Sequence, residues 1–165
     1  MKLLVLSDSH STLSFMRNCV DTIKPDGIIH LGDHYDDGQV LQEEYPYIRV
    51  WQVPGNCDRY RVPSHIPEIL ITRIAGVDFY LTHGHKHGVK MDLKLLLRDA
   101  RASGTAAVLY GHTHIADCHQ EEDGLWVLNP GASTYGGGTA GLIDIQDEKI
   151  TSCRLLRRGG WEVRK

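Results

Sequence analysis

The chain has 165 residues, 41% hydrophobic and 24% charged, with a formal net charge of −3 and a pI near 6.3. That length fits one domain around one core, and that composition excludes an intrinsically disordered or membrane-spanning chain. The weak acidity, with no basic stripe, excludes an extended nucleic-acid surface and leaves room for a small phosphate ester held by a few local charges or a metal.

The opening MKLLVLSDSH holds too short an apolar run for a signal-peptide core, so a cytoplasmic setting is expected. Lys2 to Leu6 reads as a buried strand. Ser11 to Lys24 has helical spacing, with Leu13, Met16, Cys19, Val20 and Ile23 on one face, and Pro25 stops it. Gly27 to Leu31 is the next strand, Asp37 to Tyr45 a short helix, and Ile48 to Val53 a third strand ended by Pro54-Gly55. This alternation implies right-handed crossovers and parallel pairing. Ser64 to Pro67 reads as loop. Glu68 to Ile74 and Val77 to Leu81 read as a hairpin through Ala75-Gly76. Asp92 to Ala102 is predicted helical, with Leu93, Leu96, Leu97 and Ala100 inward. Strands are predicted over Ala106 to Tyr110, Ile115 to His119, Leu125 to Leu128, Gly141 to Ile145 and Lys149 to Leu155. The one floppy spot, Gly136-Gly137-Gly138, is too short to separate domains. The expected fold is α/β: residues 1–165 as one domain, two mixed β-sheets packed as a sandwich and flanked by α-helices.

Ten histidines are present, and several follow predicted strands. Asp8 and His10 follow the first, Asp33 the second, Asn56 the third, His83 and His85 the hairpin, and His112 and His114 the strand ending at Tyr110. Loops beyond the carboxyl ends of α/β strands gather in one crevice. Carboxylate, imidazole and amide oxygen suit a divalent metal of intermediate hardness. Seven donors, Asp8, His10, Asp33, Asn56, His83, His112 and His114, are too many for one ion with open positions. They suit two ions sharing Asp33. On an extended chain, alternate residues project the same way, so D-x-H and H-x-H triplets aim both side chains at one place. Taken singly, each polar residue could instead cap a helix or fill a turn, with Ser7 or Ser11 as N-cap. Cys19, Cys57, Cys118 and Cys153 form no CxxC pair, so neither a zinc ribbon nor a redox motif is expected, and reduced thiols are the default.

The ordered set D-x-H, GD, GN-x-D, HGH and GHTH resembles the calcineurin-like metallophosphoesterases. GNCD (residues 55–58) and NPGAS (residues 129–133) resemble the small YfcE-type phosphodiesterases. The resemblance implies a first metal held by Asp8, His10, Asp33 and His114, and a second by Asp33, Asn56, His83 and His112. It implies manganese as the working ion, with zinc, iron or nickel as alternatives, and Asp33, Asn56 and His85 as catalytic residues. The implied reaction is hydrolysis of a small phosphate ester by in-line attack of a metal-bridging hydroxide. Many relatives carry His where this chain has Cys57, and that His is credited as the general acid. A thiol is a poor replacement, so acidic leaving groups are favoured, with His85 or an ordered water as substitute acid. Two other readings keep the fold. One is a non-catalytic protein-binding scaffold, as in the related retromer subunit, which would be expected to lose ligands. The other is a phosphomonoesterase or protein phosphatase with the same metals. A homo-oligomer is compatible with all of them.

Of the remaining residues, His30 is expected in the core, His34 near the site or exposed, and His65, His87 and His119 facing solvent. Arg59, Arg61 and Lys86 are expected to touch a phosphate or to be solvated. Asp58 is expected to orient neighbouring loop groups or to form a plain Asx-turn.

Overall fold

The computed structural model describes residues 1–134 and 137–157. Among these the chain runs β1 (Lys2–Leu6), α1 (Leu13–Ile23), β2 (Gly27–His30), α2 (Tyr35–Glu44), β3 (Arg49–Gln52), β4 (Ile69–Ile74) and β5 (Val77–Thr82). It continues through α3 (Lys94–Ala102), β6 (Ala107–Leu109), β7 (Asp117–Gln120), β8 (Trp126–Asn129), β9 (Thr139–Gln146) and β10 (Lys149–Arg157). Each predicted helix and strand is present, with ends shifted by up to two residues. The predicted Gly136 lies outside the described residues.

The strands form two five-stranded sheets, ordered β10-β9-β1-β2-β3 and β4-β5-β6-β8-β7. β1, β2 and β3 are parallel, as the crossovers through α1 and α2 require, and β9 and β10 extend the same sheet antiparallel. In the second sheet β5, β6 and β8 are parallel, flanked by antiparallel β4 and β7. The two-residue side-chain period divides the core into layers. Leu3 and Val5 of β1 meet Phe79, Leu81, Leu109 and Leu128 between the sheets. Leu4 and Leu6 turn the other way, against Met16, Cys19 and Val20 of α1 and Leu41 of α2. Tyr80 and Val108 turn outward on the second sheet, against Leu96 and Ala100 of α3. β1 is thus covered on both faces, which is why KLLVL is nearly continuous hydrocarbon rather than alternating.

α1 ends at Lys24, whose left-handed backbone (φ +49°) lets its N–H bond Val20 C=O before Pro25 forbids another turn. Neither Ser7 nor Ser11 caps a helix: the Ser7 hydroxyl bonds Asp8, and the residue before α1 is Thr12, with no side-chain cap. No helix among the described residues is long and apolar enough to cross a membrane. The residues following β1, β2, β3, β5 and β6 gather at one rim of the sandwich, where the two sheets meet.

Candidate metal centre

Five residues at this rim share a backbone state that few side chains adopt. Asp8 (φ +53°), His10 (+43°), Asp33 (+53°), His112 (+67°) and His114 (+61°) are all left-handed. The D-x-H and H-x-H triplets are therefore not extended, and simple alternation does not explain their convergence. Each chain folds back instead. Thr113 N–H bonds Gly111 C=O at 2.8 Å, closing a three-residue turn centred on His112. Left-handed residues outside glycine cost on the order of 1 kcal/mol or more each and persist only where the surroundings over-determine them.

The surroundings do so. Asp8 is fully buried, and its Oδ2 accepts the Ser7 hydroxyl (2.6 Å) and the His112 N–H (3.1 Å). Asn129 Nδ2 donates to Gly111 C=O (3.1 Å) and Thr113 Oγ1 (2.9 Å), while its Oδ1 accepts the Gly131 N–H. The NPGAS segment thus clamps the GHTH loop, a role the sequence hinted at only by placing Asn129 at a strand end. Gly111 must lack a side chain, because a Cβ would sit 2.1 Å from Ser7 Oγ. Gly55 must too, because a Cβ would sit 2.2 Å from Asp33 Oδ1. Asp58, fully buried, accepts N–H bonds from His34, Tyr35 and Gly55 at 2.9, 2.9 and 2.7 Å. It holds the loop after β2 against the loop after β3, so it orients a neighbouring loop as well as its own turn.

Two groups of donors result, and Asp33 belongs to both. Donor atoms of Asp8, His10, Asp33 and His114 lie within 4.8 Å of one another, as do those of Asp33, His83 and His112. Asn56 opens the turn beside them, exposed, with Nδ2 3.5 Å from Cys57 Sγ. Cys57 in turn touches Asp33 twice: its N–H donates to Oδ1 at 3.0 Å and its thiol to Oδ2 at 3.3 Å.

Protonation states favour cation binding. His83 Nδ1 lies 2.7 Å from Leu31 C=O, so Nδ1 carries the proton and donates across from one sheet to the other. That leaves Nε2 buried without a hydrogen bond, 3.4 Å from Asp33 Oδ1 and 4.0 Å from Asp8 Oδ1. Burial opposes a charged His83, but Asp33 and Asp8 outweigh it and raise its pKa. A proton or a cation at Nε2 answers the same pair of carboxylates, and cation binding displaces the proton. Burial would raise the Asp33 pKa, yet His83 and the two Cys57 hydrogen bonds hold its carboxyl well below the usual range. Burial, then His83 and Lys90, pull His112 down to about 4, so its ring is neutral at physiological pH and free to coordinate. The donor chemistry and the orphaned buried Nε2 fit divalent cations.

His85 sits beside this cluster, its ring 5.5 Å from that of His83 and 6.1 Å from that of His112. Burial, then His83, lower its pKa. Cys57 moves the other way: partial burial and the Asp33 carboxylate push its thiol up to about 11. A cleft of about 570 Å³ opens from Gly55 past Arg59, Ile66 and Lys86. In it Lys86 is paired with Glu68, and Arg59 leans over Tyr60 at 5.7 Å.

His34 is half-buried near the site, with Nδ1 2.8 Å from Ser11 Oγ and its ring 5.4 Å from that of His10. His65 is exposed, as expected. His87 is not: it is buried under α3, its Nε2 3.1 Å from Tyr80 Oη and 3.6 Å from Asp99. The shape of the turn after β5 buries it, and turn shape carries no hydrophobic signal. His119 is half-buried between Asp117 (2.8 Å) and Glu121 (3.2 Å).

His30 is a core residue, and behind the donors it completes a buried relay. Gly32 N–H points at His30 Nδ1 (3.4 Å), His30 Nε2 meets Ser9 Oγ (3.1 Å), and Ser9 donates to Asp37 (2.7 Å), which also accepts the Ser11 N–H (2.9 Å). Since Ser9 gives its proton to Asp37, His30 Nε2 donates and the ring is neutral. Burial, only partly offset by Asp37, lowers its pKa from 6.5 to about 4. A depressed folded pKa gives stability that is complete above 6.5 and is lost as pH falls toward 4. The loss is about 3 kcal/mol. Urea unfolding at pH 7.5 and pH 4.5 is expected to show a smaller acid loss for His30→Gln than for the parent, and equal losses would exclude this role.

Residues 1–148 match a family model described as the calcineurin-like phosphoesterase superfamily domain. A Mycoplasma pneumoniae protein described as "Probable metallophosphoesterase" is 31% identical over 134 residues, 79% of this chain and 78% of its own. Among solved structures, a conserved Streptococcus pneumoniae protein described as a "predicted phosphoesterase" superposes with a TM-score of 0.75 at 26% identity, covering 98% of this chain and 92% of that one. Vps29 from Entamoeba histolytica, complexed with zinc, gives 0.73 at 20% identity over 95% and 98% of the two chains, a likeness of fold.

Proposed function

We propose, for a chain that belongs to the calcineurin-like phosphoesterase superfamily, a dinuclear phosphodiesterase acting on a small phosphate ester, with manganese as the working ion. The carrying observation is that two donor groups meet at the single carboxylate of Asp33. In this reading Asp8, His10, Asp33 and His114 hold one cation, and Asp33, Asn56, His83 and His112 the other. When bound, such a pair acidifies water and neutralises charge developing on a phosphoryl oxygen.

The chain's own residues do the rest. Asp33 stays ionised and fixed by Cys57, His83 is oriented by the Leu31 carbonyl, and His112 stays neutral. The weak point is proton donation to the leaving group. A general acid works best with a pKa near the working pH. Cys57 at about 11 is too reluctant, and His85, with its lowered pKa, is mostly deprotonated at neutral pH. Substrates whose leaving group needs no proton, such as aryl esters, are therefore favoured. A diester places one anionic charge beside the donors and its second ester arm in the cleft toward Arg59 and Lys86. The scaffold reading is disfavoured because every position of the donor set carries a competent side chain.

Hydrolysis is tested by offering bis(p-nitrophenyl) phosphate, p-nitrophenyl phosphate and an alkyl aryl diester with manganese, zinc or nickel. The aryl diester with manganese is expected to turn over fastest. Cys57→His in the same screen is expected to raise rates on alkoxide leaving groups by about tenfold or more. A uniform loss across substrates would rule out the missing-acid argument, and a preference for the monoester would rule out the diesterase.

A further inference from the structure

The sequence separates Cys118 and Cys153 by 35 residues, and the fold brings them together: the Cys118 thiol donates to Cys153 Sγ at 2.9 Å. A sulfur–sulfur bond is about 2.05 Å long, so less than 1 Å of approach separates the pair from a covalent link. Cys118 lies on β7 and Cys153 on β10, the edge strands of opposite sheets. Both are half-buried and pack on the core between the sheets. The other two cysteines lie elsewhere: Cys19 is buried under α1, and Cys57 is engaged with Asp33 at the candidate metal centre.

We infer that Cys118 and Cys153 are a reversible oxidation site, forming one disulfide that staples the two sheets together along their edge strands. The electron acceptor is a low-molecular-weight disulfide of the glutathione class. One cysteine loses its thiol proton, and its sulfur attacks the small disulfide, expelling one thiolate and leaving a mixed disulfide. The second cysteine, likewise deprotonated, attacks the protein sulfur of that mixed disulfide and expels the second thiolate. The protein gives up two electrons and two protons, and the small disulfide becomes two thiols. In a reducing compartment the pair stays as thiols, and a shift to oxidising conditions closes it. This site is separate from the phosphate chemistry and does not depend on it.

The two sheets carry different members of the donor set: Asp8, His10, Asp33 and Asn56 follow strands of one, and His83, His112 and His114 strands of the other. The staple therefore joins the two bodies that the donor set itself bridges.

The whole chain is incubated with oxidised glutathione, and its intact mass and non-reduced peptides are measured. The expected product is lighter by two hydrogens, carries no glutathione, links the peptides of Cys118 and Cys153, and reverts with dithiothreitol. Closing a 35-residue loop is expected to raise the midpoint of thermal unfolding by about 10 °C. Neither Cys153→Ser nor Cys118→Ala should show the mass loss or the rise, and two variants guard against misfolding in either one. Stable glutathione adducts on each cysteine, a link through Cys19 or Cys57, or a closed disulfide without thermal stabilisation would each overturn the inference.

Discussion

Asp33→Ala is expected to lower hydrolysis of bis(p-nitrophenyl) phosphate with added manganese by at least about a thousandfold, roughly 4 kcal/mol in the barrier. Among the described residues no other side chain belongs to both donor groups, so its loss opens both at once. Two further effects push the same way. The Cys57 N–H and thiol lose their acceptor, which frees the turn that carries Asn56. His83 Nε2 loses the nearer of its two carboxylates. Asp33→Asn separates charge from hydrogen bonding, because its amide oxygen still accepts the Cys57 N–H. It is expected to keep the parent's thermal midpoint and lose nearly as much activity. Titration calorimetry with manganese is the independent check and should show weaker or fewer bound ions. Turnover within tenfold of the parent, in either variant, would remove Asp33 from its bridging position.

Asp58→Ala is expected to cost roughly 3–6 kcal/mol of unfolding free energy, since three backbone N–H groups, that of Gly55 buried and those of His34 and Tyr35 part-buried, lose their acceptor at about 1–2 kcal/mol each. The carboxylate is fully buried and serves His34 and Tyr35, at the start of α2, together with Gly55. A domain of this size has only about 5–15 kcal/mol in hand, so the variant should unfold at markedly lower urea. Asp58→Asn, with one acceptor oxygen instead of two, should lie between the parent and Asp58→Ala. A midpoint for Asp58→Ala indistinguishable from the parent would show that water replaces the carboxylate at no cost. Manganese affinity should fall with stability, because the loops joined by Asp58 carry Asp33 and Asn56.

Much of this could be read directly from the residues. The strand–helix alternation to Val53, the Ala75-Gly76 hairpin and the meeting of Asp8, His10, Asp33, His83, His112 and His114 as candidate donors follow from period, turn chemistry and the placement of polar residues. Three features could not. The left-handed backbone at Asp8 and His112 is held by the Asp8 carboxylate accepting the His112 N–H and by Asn129 clamping the GHTH loop, partners far apart in sequence. The burial of His87 depends on where α3 is laid down after it. The meeting of Cys118 with Cys153 depends on which strands end up at the two sheet edges, and a list of cysteine spacings is blind to that. What stays hidden in each case is a long-range contact with no local signature.

The left-handed turns at the rim bear on which ion the protein keeps. Backbone that is pinned by buried carboxylates and amides has little room to breathe, so the spacing of the coordinating atoms is set before any guest arrives. A cage of that kind sorts its visitors by radius and preferred angles, and bare binding strength counts for less.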